Sequence, residues 1–216
     1  MIRILLADDE AMIRAGVRAI LASDPSLEVV AEAGDGRQAV DLAISHRPDV
    51  ALLDIRMPRL DGLAAAGELR RVAPRTAVVM LTTFGEDDYI AKALDVGASG
   101  FLLKSGDPRE LIAGIHAVAE GAAYLSPRVA QRVIAQLGGA RMAKGARARD
   151  RIEVLTDRER EVLALVGAGM SNAEIARELH IVEGTVKAYV SAILTGLDVR
   201  NRVQAAIIAH EAGLVA

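Results

Sequence analysis

The first 120 residues alternate short apolar runs with longer amphipathic stretches, five times over. The short runs have the length of strands, the longer stretches have the period of helices, and Gly or Pro separates them. This alternation predicts a doubly wound, five-stranded parallel sheet with right-handed crossovers. We predict strands near 2–7, 27–32, 49–54, 76–82 and 100–103. We predict helices near 11–23, 36–46, 62–73, 86–96 and 107–120.

Four of the predicted strands end in residues that can carry chemistry. Asp8 and Asp9 follow the first strand, Asp54 closes the third, Thr82 closes the fourth and Lys104 follows the fifth. Taken singly, each has an ordinary interpretation as a helix cap or a surface residue. Because ligands of such sheets bind beyond the carboxyl ends of the strands, we expect all five side chains to share one pocket.

Three carboxylates in one pocket repel one another unless positive charge is added. A divalent cation and the Lys104 ammonium together would neutralise them. Oxygen ligands without His or Cys favour Mg²⁺ or Mn²⁺ over zinc. Asp54, on the central strand, is then the predicted nucleophile that accepts a phosphoryl group, with Thr82 and Lys104 assisting the transfer.

Four segments of this half carry a specific combination of residues. They are Leu6–Glu10, Leu53–Gly62, Leu81–Thr83 and Gly97–Lys104. Together they resemble the receiver domain of bacterial response regulators, which has a flavodoxin-like fold. The resemblance implies that a sensor histidine kinase phosphorylates Asp54. It also implies that Asp8, Asp9, Asp54 and the Arg56 backbone carbonyl surround Mg²⁺.

The same resemblance implies a switch pair, Thr82 and Phe101. In that pairing the hydroxyl moves toward the phosphoryl group and the ring turns inward. Phe101 can equally be an ordinary core ring. A receiver of this kind is not an enzyme in the usual sense, because it promotes only its own phosphoryl transfer and dephosphorylation.

The charge changes sign along the chain. Residues 1–120 carry 13 Lys and Arg against 19 Asp and Glu, whereas residues 121–216 carry 13 against 10. Such an asymmetry indicates that the two halves of the chain have different functions. Between the halves, Ser126 and Pro127 predict a helix near 127–137. The small and basic residues of 140–151 then predict a tether, which either contacts phosphates on DNA or is simply a solvated linker.

Four short helices are predicted beyond the tether, near 156–166, 171–179, 183–194 and 201–212. Thr156 with Glu159 and Ser171 with Glu174 have the form of capping boxes. A tight turn between the second and third helices is the layout of a helix-turn-helix, whose third helix enters the major groove. We therefore place a first domain at 1–122, a linker helix and tether at 123–151, and a small all-α domain at 152–216.

Four further segments support that interpretation. They are Leu155–Leu163, Ser171–Ala176, Gly184–Lys187 and Arg202–Ala206. They resemble the helix-turn-helix of NarL/FixJ-type, or LuxR-type, regulators, which implies double-stranded DNA as a partner and a homodimer in the phosphorylated state. The residues predicted to contact DNA are Thr185, Lys187, Ala188, Ser191, Thr195, Arg200 and Arg202.

The third helix departs from that family pattern at three places. Val182 stands where a serine usually caps the helix, and removing such a cap costs about 1 kcal/mol. Tyr189 replaces the usual histidine, and Thr195-Gly196 replaces a lysine. Each bond to a phosphate that is missing reduces the salt slope of DNA binding by about 0.9. We therefore expect weaker DNA binding than is normal for the family.

Other classes of protein are disfavoured by the composition of the chain. It has no Cys, so disulfides, zinc thiolates and cysteine nucleophiles are excluded. The four His have no spacing typical of metal sites or catalytic triads and are interpreted as surface residues. No apolar run reaches the ~18 residues of a membrane helix, and Arg3 interrupts the first run, so we expect a cytoplasmic protein without membrane contact.

The preferred hypothesis is a transcription regulator of a two-component system. The alternative is a receiver that controls a protein-interaction module with weak or no DNA binding, which the neutral third helix favours. A third hypothesis, a Mg²⁺-dependent phosphatase, is disfavoured because Arg56 stands where such enzymes carry an acidic residue.

Overall fold

The computed structural model describes residues 1–82, 92–93, 95–126, 129–130 and 148–215. The chain divides into two compact units, Met1–Ala119 with Tyr124–Ala130 and Glu120–Ala123 with Gln131–Ala216. The predicted helix at 86–96, the linker helix at 127–137 and the tether at 140–151 fall largely outside the described residues. Within the described part, no helix has both the length and the apolar character needed to span a membrane.

The first unit is a parallel sheet with helices around it. Its strands are β1 (Ile2–Ala7), β2 (Leu27–Ala33), β3 (Val50–Asp54), β4 (Ala77–Thr82), β5 (Gly100–Leu103) and β6 (Tyr124–Leu125). Its helices are α1 (Ala11–Leu21), α2 (Gly36–His46), α3 (Gly62–Val72) and α4 (Pro108–Ala119). The strand order is β2-β1-β3-β4-β5-β6, and every pair is parallel. The predicted fold class is therefore confirmed.

A sixth strand corrects the prediction of five. Tyr124 and Leu125 pair with Gly100 and Phe101 at the outer edge of β5, within the stretch that was predicted to be linker. The Ser126 amide extends the ladder by donating to the Phe101 carbonyl at 3.1 Å. Two residues are too few to show the alternation that marks a strand, so the sequence pattern carries no signal here.

The central strand β3 is buried along its whole length. A near-continuous apolar run is typical of a parallel strand that is covered on both faces. On one face, Val17 of α1 and Ile115 of α4 pack against alternate strand residues such as Leu52. Asp54 is the last residue of this strand, so the fold fixes its backbone while its side chain lies at the end of the sheet.

The second unit is a bundle of short helices. They are α5 (Asp157–Gly167), α6 (Asn172–Glu178), α7 (Glu183–Gly196) and α8 (Arg202–Ala212). Both capping boxes form: the hydroxyls of Thr156 and Ser171 accept from the backbone amides of Glu159 and Glu174, whose carboxylates accept in turn from the amides of Thr156 and Ser171. Each box satisfies amides that a helix start would leave unpaired. The predicted helical domain is thereby confirmed.

Residues before 152 also contribute to the core of this unit. Residues 148–152 are helical. Ala148 and Ile152 belong to the core of the unit, and the Arg151 guanidinium donates to the Leu197 carbonyl. The Ala- and Arg-rich composition predicted a tether. It does not indicate that the end of this segment packs against the bundle through Ala148 and Ile152.

Candidate functional site

Parallel pairing of β1, β3, β4 and β5 brings the predicted residues to one edge of the sheet. Asp54 is in register with Leu81, and Thr82 with Leu103. The Lys104 ammonium lies 2.7 Å from Asp8 Oδ2 and 2.9 Å from Asp54 Oδ1. Lys104 therefore joins the ends of two strands that are far apart in sequence.

This cluster is largely closed to water. Asp8 is 0% exposed and Asp54 is 5% exposed. Burial penalises the charged carboxylate and raises the pKa of Asp54 to about 6, with a smaller rise from Asp8, although Lys104 and the Ile55 amide oppose both. Burial alone would lower the pKa of the Lys104 ammonium, but hydrogen bonds to Asp8 and Asp54 outweigh it and raise that pKa.

The charge and the donor atoms of the cluster fit a hard divalent cation. Oxygens of Asp8, Asp9 and Glu10 all lie within 4.8 Å of one another. Two buried carboxylates face one ammonium, so negative charge is in excess, and oxygen donors suit Mg²⁺ or Mn²⁺. Sequence reasoning did not name Glu10 in this group, although it directly follows Asp9; its side chain is exposed.

A groove opens beside these carboxylates. Its lining residues are Asp9, Ile55, Arg56, Met57, Pro58 and Asp61. Ile55 and Met57 are buried on either side of Arg56, whose own side chain is exposed. The groove is therefore bordered by Asp9 and by Arg56, two of the predicted ligand positions.

Gly62 is required where the loop after β3 turns into α3. A Cβ at this position would come 1.9 Å from the Asp54 carbonyl oxygen. The Gly62 amide donates to the Ile55 carbonyl at 2.9 Å, and the Asp61 side chain caps α3 at the Ala64 amide, 2.7 Å away. The absence of a side chain thus lets the loop return tightly against the strand that carries Asp54.

Thr82 and Phe101 are both buried in the described structure, with exposed fractions of 3% and 1%. Phe101 is in register with Met80, two residues before Thr82 on the adjacent strand. The ring is therefore a core ring here, and its part in a switch stays a prediction.

In the second unit, the exposed face of α7 carries one lysine among small, uncharged residues. Lys187, Ala188, Ser191 and Thr195 are exposed, and Thr185 is half-buried. The Lys187 ammonium lies 2.8 Å from the Glu183 carboxylate. Its charge is thus balanced one turn earlier on the same helix.

The hydroxyls on this face bond to the helix itself. Ser191 donates to the Lys187 carbonyl at 2.9 Å, and Thr195 donates to the Ser191 carbonyl at 3.0 Å. Val182, at the start of the helix, makes no side-chain cap. What these hydroxyls still offer a partner is mainly acceptor lone pairs and, for Thr195, a methyl group.

Arg200 is exposed, but the placement of Arg202 conflicts with its predicted contact to DNA. Arg202 is 6% exposed and donates to Asn172 Oδ1 at 2.8 Å and to the Met170 carbonyl. Burial lowers its pKa to about 10. The sequence placed it at a helix start, but that pattern does not show which way a first-turn side chain points.

His116 has side-chain partners that sequence reasoning missed. His116 Nε2 lies 2.9 Å from Asp24 Oδ2 and 3.4 Å from the Ser26 hydroxyl. These contacts tie α4 to the loop before β2. Because the partners are about ninety positions apart in sequence, no local spacing could indicate them.

Two family descriptions match the chain. Residues 4–116 match the response regulator receiver domain, and residues 153–209 match the bacterial regulatory proteins of the luxR family. The first match lies in the parallel sheet unit and the second in the helical unit.

Several curated proteins and solved structures are similar over nearly the full length. The transcriptional regulatory protein LiaR of Bacillus subtilis (strain 168) is 39% identical over 100% of both chains. The response regulator protein VraR of Staphylococcus epidermidis is 36% identical over 99% of both. The crystal structure of ChrA, a response regulator in a heme-sensing two-component system, superposes with a TM-score of 0.55 at 35% identity, covering 99% of this chain and 98% of that one.

Proposed function

Because the chain belongs to the response regulators that carry a LuxR-type DNA-binding domain, we propose that Asp54 is its phosphoacceptor and a sensor histidine kinase the donor. Its relatives are transcriptional regulatory proteins of two-component systems. The observation that carries the proposal is the Lys104 ammonium, 2.7 Å from Asp8 and 2.9 Å from Asp54. It supports the proposal because phosphoryl transfer to a carboxylate needs a cation beside the attacking oxygen.

The transfer breaks the bond between phosphorus and the kinase imidazole nitrogen and forms a bond to an Asp54 carboxylate oxygen. Asp54 attacks as the carboxylate, while Lys104 balances the charge on the moving phosphoryl oxygens. Asp8, Asp9, Asp54 and the Arg56 carbonyl would hold Mg²⁺ or Mn²⁺, which when bound supplies a second positive charge to those oxygens. Thr82 would donate its hydroxyl to the product, and Phe101 would turn with it.

Phosphorylation acts on transcription by promoting a homodimer. The acyl phosphate shifts the receiver toward one of two states by stabilising it more than the other. Two helix-turn-helix domains then read a two-fold operator in double-stranded DNA, with α7 in the major groove. The proposed contacts are Thr185, Lys187, Ala188, Ser191, Thr195 and Arg200. We place the protein in the cytoplasm, where the chromosome is accessible.

The test combines intact-mass measurement with DNA binding. Wild-type protein treated with a small acyl phosphate and Mg²⁺ should gain one phosphoryl group and bind selected operator DNA more tightly. Asp54→Ala should do neither, whereas Asp41→Ala, at an exposed residue of α2, should behave like wild type. Equal DNA binding by wild type and Asp54→Ala, with and without the donor, contradicts the proposal.

A second function is favoured by the neutral face of α7. Its Lys187 is already paired with Glu183 at 2.8 Å, and ionic contacts supply much of the affinity for DNA. In this alternative the receiver controls a module that binds another protein and has weak or no DNA binding. Selection from random DNA that recovers no common sequence favours it, and a two-fold footprint rules it out.

A further inference from the structure

A charged contact holds the loop between β3 and α3 at its crest, which is formed by Arg59 and Leu60. Asp35 caps α2 by accepting from the Gln38 amide at 2.9 Å. The same side chain, 0% exposed, meets the guanidinium of Arg59 through Oδ2. Burying a carboxylate away from water costs free energy unless an opposite charge is beside it. The Arg59 guanidinium supplies that opposite charge for Asp35.

Arg59 adopts an unusual backbone conformation in making this contact. Its φ is 63°, in the left-handed region that residues with a Cβ rarely enter. Such conformations persist where the surroundings impose them, and they cluster near functional sites. The side chain remains 65% exposed, so the contact with Asp35, rather than burial of the arginine, accounts for the position of the loop crest.

A second contact beside the first fixes the same crest. The Gly36 amide donates to the Leu60 carbonyl at 3.1 Å, and a Cβ at position 36 would come 2.3 Å from that oxygen. Glycine therefore lets the crest dock against the first turn of α2. At the base of the loop, the Ile55 amide donates to the Leu81 carbonyl at 3.3 Å.

Arg56 lies between this fixed base and this fixed crest. Because contacts hold the loop on both sides of Arg56, the direction of its carbonyl depends on how the loop is held. We propose that the Arg59–Asp35 contact positions the Arg56 carbonyl for the divalent cation and thereby sets the affinity of the site for Mg²⁺. This inference rests on the proposed function, in which that carbonyl is a ligand, and makes Arg59 and Asp35 positioning residues.

Two substitutions remove the ion pair while keeping the left-handed backbone at position 59 and the helix cap at position 35. Arg59→Gly suits the left-handed backbone, and Asp35→Asn keeps a residue that caps helices well. In the full chain, each should raise the dissociation constant for Mn²⁺, followed as free Mn²⁺ by electron paramagnetic resonance, about tenfold. The double variant should be no weaker than either single one, because both remove the same interaction.

A phosphorylation measurement separates positioning from general loosening. With a small acyl phosphate as donor, the Mg²⁺ concentration for half-maximal rate should rise by the same factor in both variants. The rate at saturating Mg²⁺ should stay at the wild-type value. Arg37→Ala is the matched control: it deletes a two-bond ion pair with Glu68, at 2.8 and 2.9 Å, that links α2 to α3 away from the loop.

The outcomes are distinct. Unchanged Mn²⁺ affinity in Arg59→Gly and Asp35→Asn overturns the inference, as does a double variant whose effects multiply. An equally weakened Mn²⁺ affinity in Arg37→Ala also overturns it, because any ion pair of α2 would then matter. A wild-type protein that binds no Mn²⁺ and is not phosphorylated contradicts the proposed function instead.

Discussion

At the scale of single residues, Lys104 influences whether the Asp54 side chain is ionised or protonated. The ammonium hydrogen-bonds to Asp54 at 2.9 Å and to Asp8 at 2.7 Å. Burial works against the ionised carboxylate, and Lys104 works for it. The proposed acceptor, Asp54, is thus favoured as a carboxylate by a neighbouring cation, which offsets part of the cost of desolvation.

Lys104→Met should raise the pKa of Asp54 above the value of about 6 set by its surroundings. The reason is that burial and Asp8 remain while the opposing positive charge is removed. A pH titration of the Asp54 carboxyl carbon by NMR, in metal-free protein, measures the change. A pKa of Asp54 that is unchanged or lower in Lys104→Met contradicts this account.

The contact of Asp24 with Ser26 and His116 predicts a pH dependence of stability. Hydrogen bonds from Ser26 and then His116 lower the pKa of Asp24 from 3.8 to about 2. A lowered pKa stabilises the fold above pH 3.8, and that contribution disappears as the pH falls toward 2. The difference in urea midpoint between wild type and Asp24→Asn should therefore shrink as the pH falls below 3.8 toward 2. A difference that grows on acidification contradicts this prediction.

The sequence was a good guide to some residues and a poor guide to others. Asp8, Asp54 and Lys104 could be placed together because strand ends of a parallel sheet converge, which needs only the local pattern. The Arg59–Asp35 contact could not be predicted, because nothing local indicates that an arginine will adopt a left-handed backbone and reach another loop. Long-range contacts between loops depend on the assembled fold.

At the scale of elements, glycine decides how closely the loop after β3 approaches its strand. Gly62→Ala should destabilise the first unit and abolish phosphorylation, since its Cβ would lie 1.9 Å from the Asp54 carbonyl oxygen. Thermal unfolding and intact-mass measurement report the two effects. Gly67→Ala is the control: nothing lies within 4 Å of its Cβ, so it should stabilise α3 by about 1 kcal/mol. Equal behaviour of the two variants refutes the steric argument.

Helix α7 begins without the side-chain bond that its neighbours have. Val182 is 72% exposed and makes no cap, whereas Thr156 and Ser171 cap α5 and α6. Val182→Ser should therefore raise the free energy of unfolding of this unit by about 1 kcal/mol. Urea denaturation measures it. Val154→Ser, at another exposed valine, should change stability little, and an equal gain there argues against capping.

At the scale of the whole molecule, each of the two units has a hydrophobic core of its own, and we expect each to fold independently. The second should be more stable when it includes residues 148–152 than when it begins after them, because Ala148 and Ile152 lie in its core. A fragment 148–216 should be more stable than 153–216 by at least ~2 kcal/mol, the usual cost of deleting a buried Ile side chain. Thermal unfolding followed by circular dichroism compares the two fragments. Equal unfolding midpoints would show that residues 148–152 do not contribute to the core.

The order of the domains was predictable because strand-helix alternation and capping boxes are local signals, and the structure confirms both. The boundary was not predictable, because composition alone suggested a solvated tether up to residue 151. Packing of 148–152 depends on which side of a short helix meets the bundle, and five residues show no such periodicity.

The neutral face of α7 has a consequence for how the regulator is distributed in a cell. In the proposed function, α7 enters the major groove with its single ammonium already balanced by Glu183, and it should therefore have little attraction for arbitrary chromosomal sequence. We expect few copies to be sequestered by the genomic background, which normally competes with an operator. A modest rise in the number of phosphorylated molecules would then give a nearly proportional rise in operator occupancy.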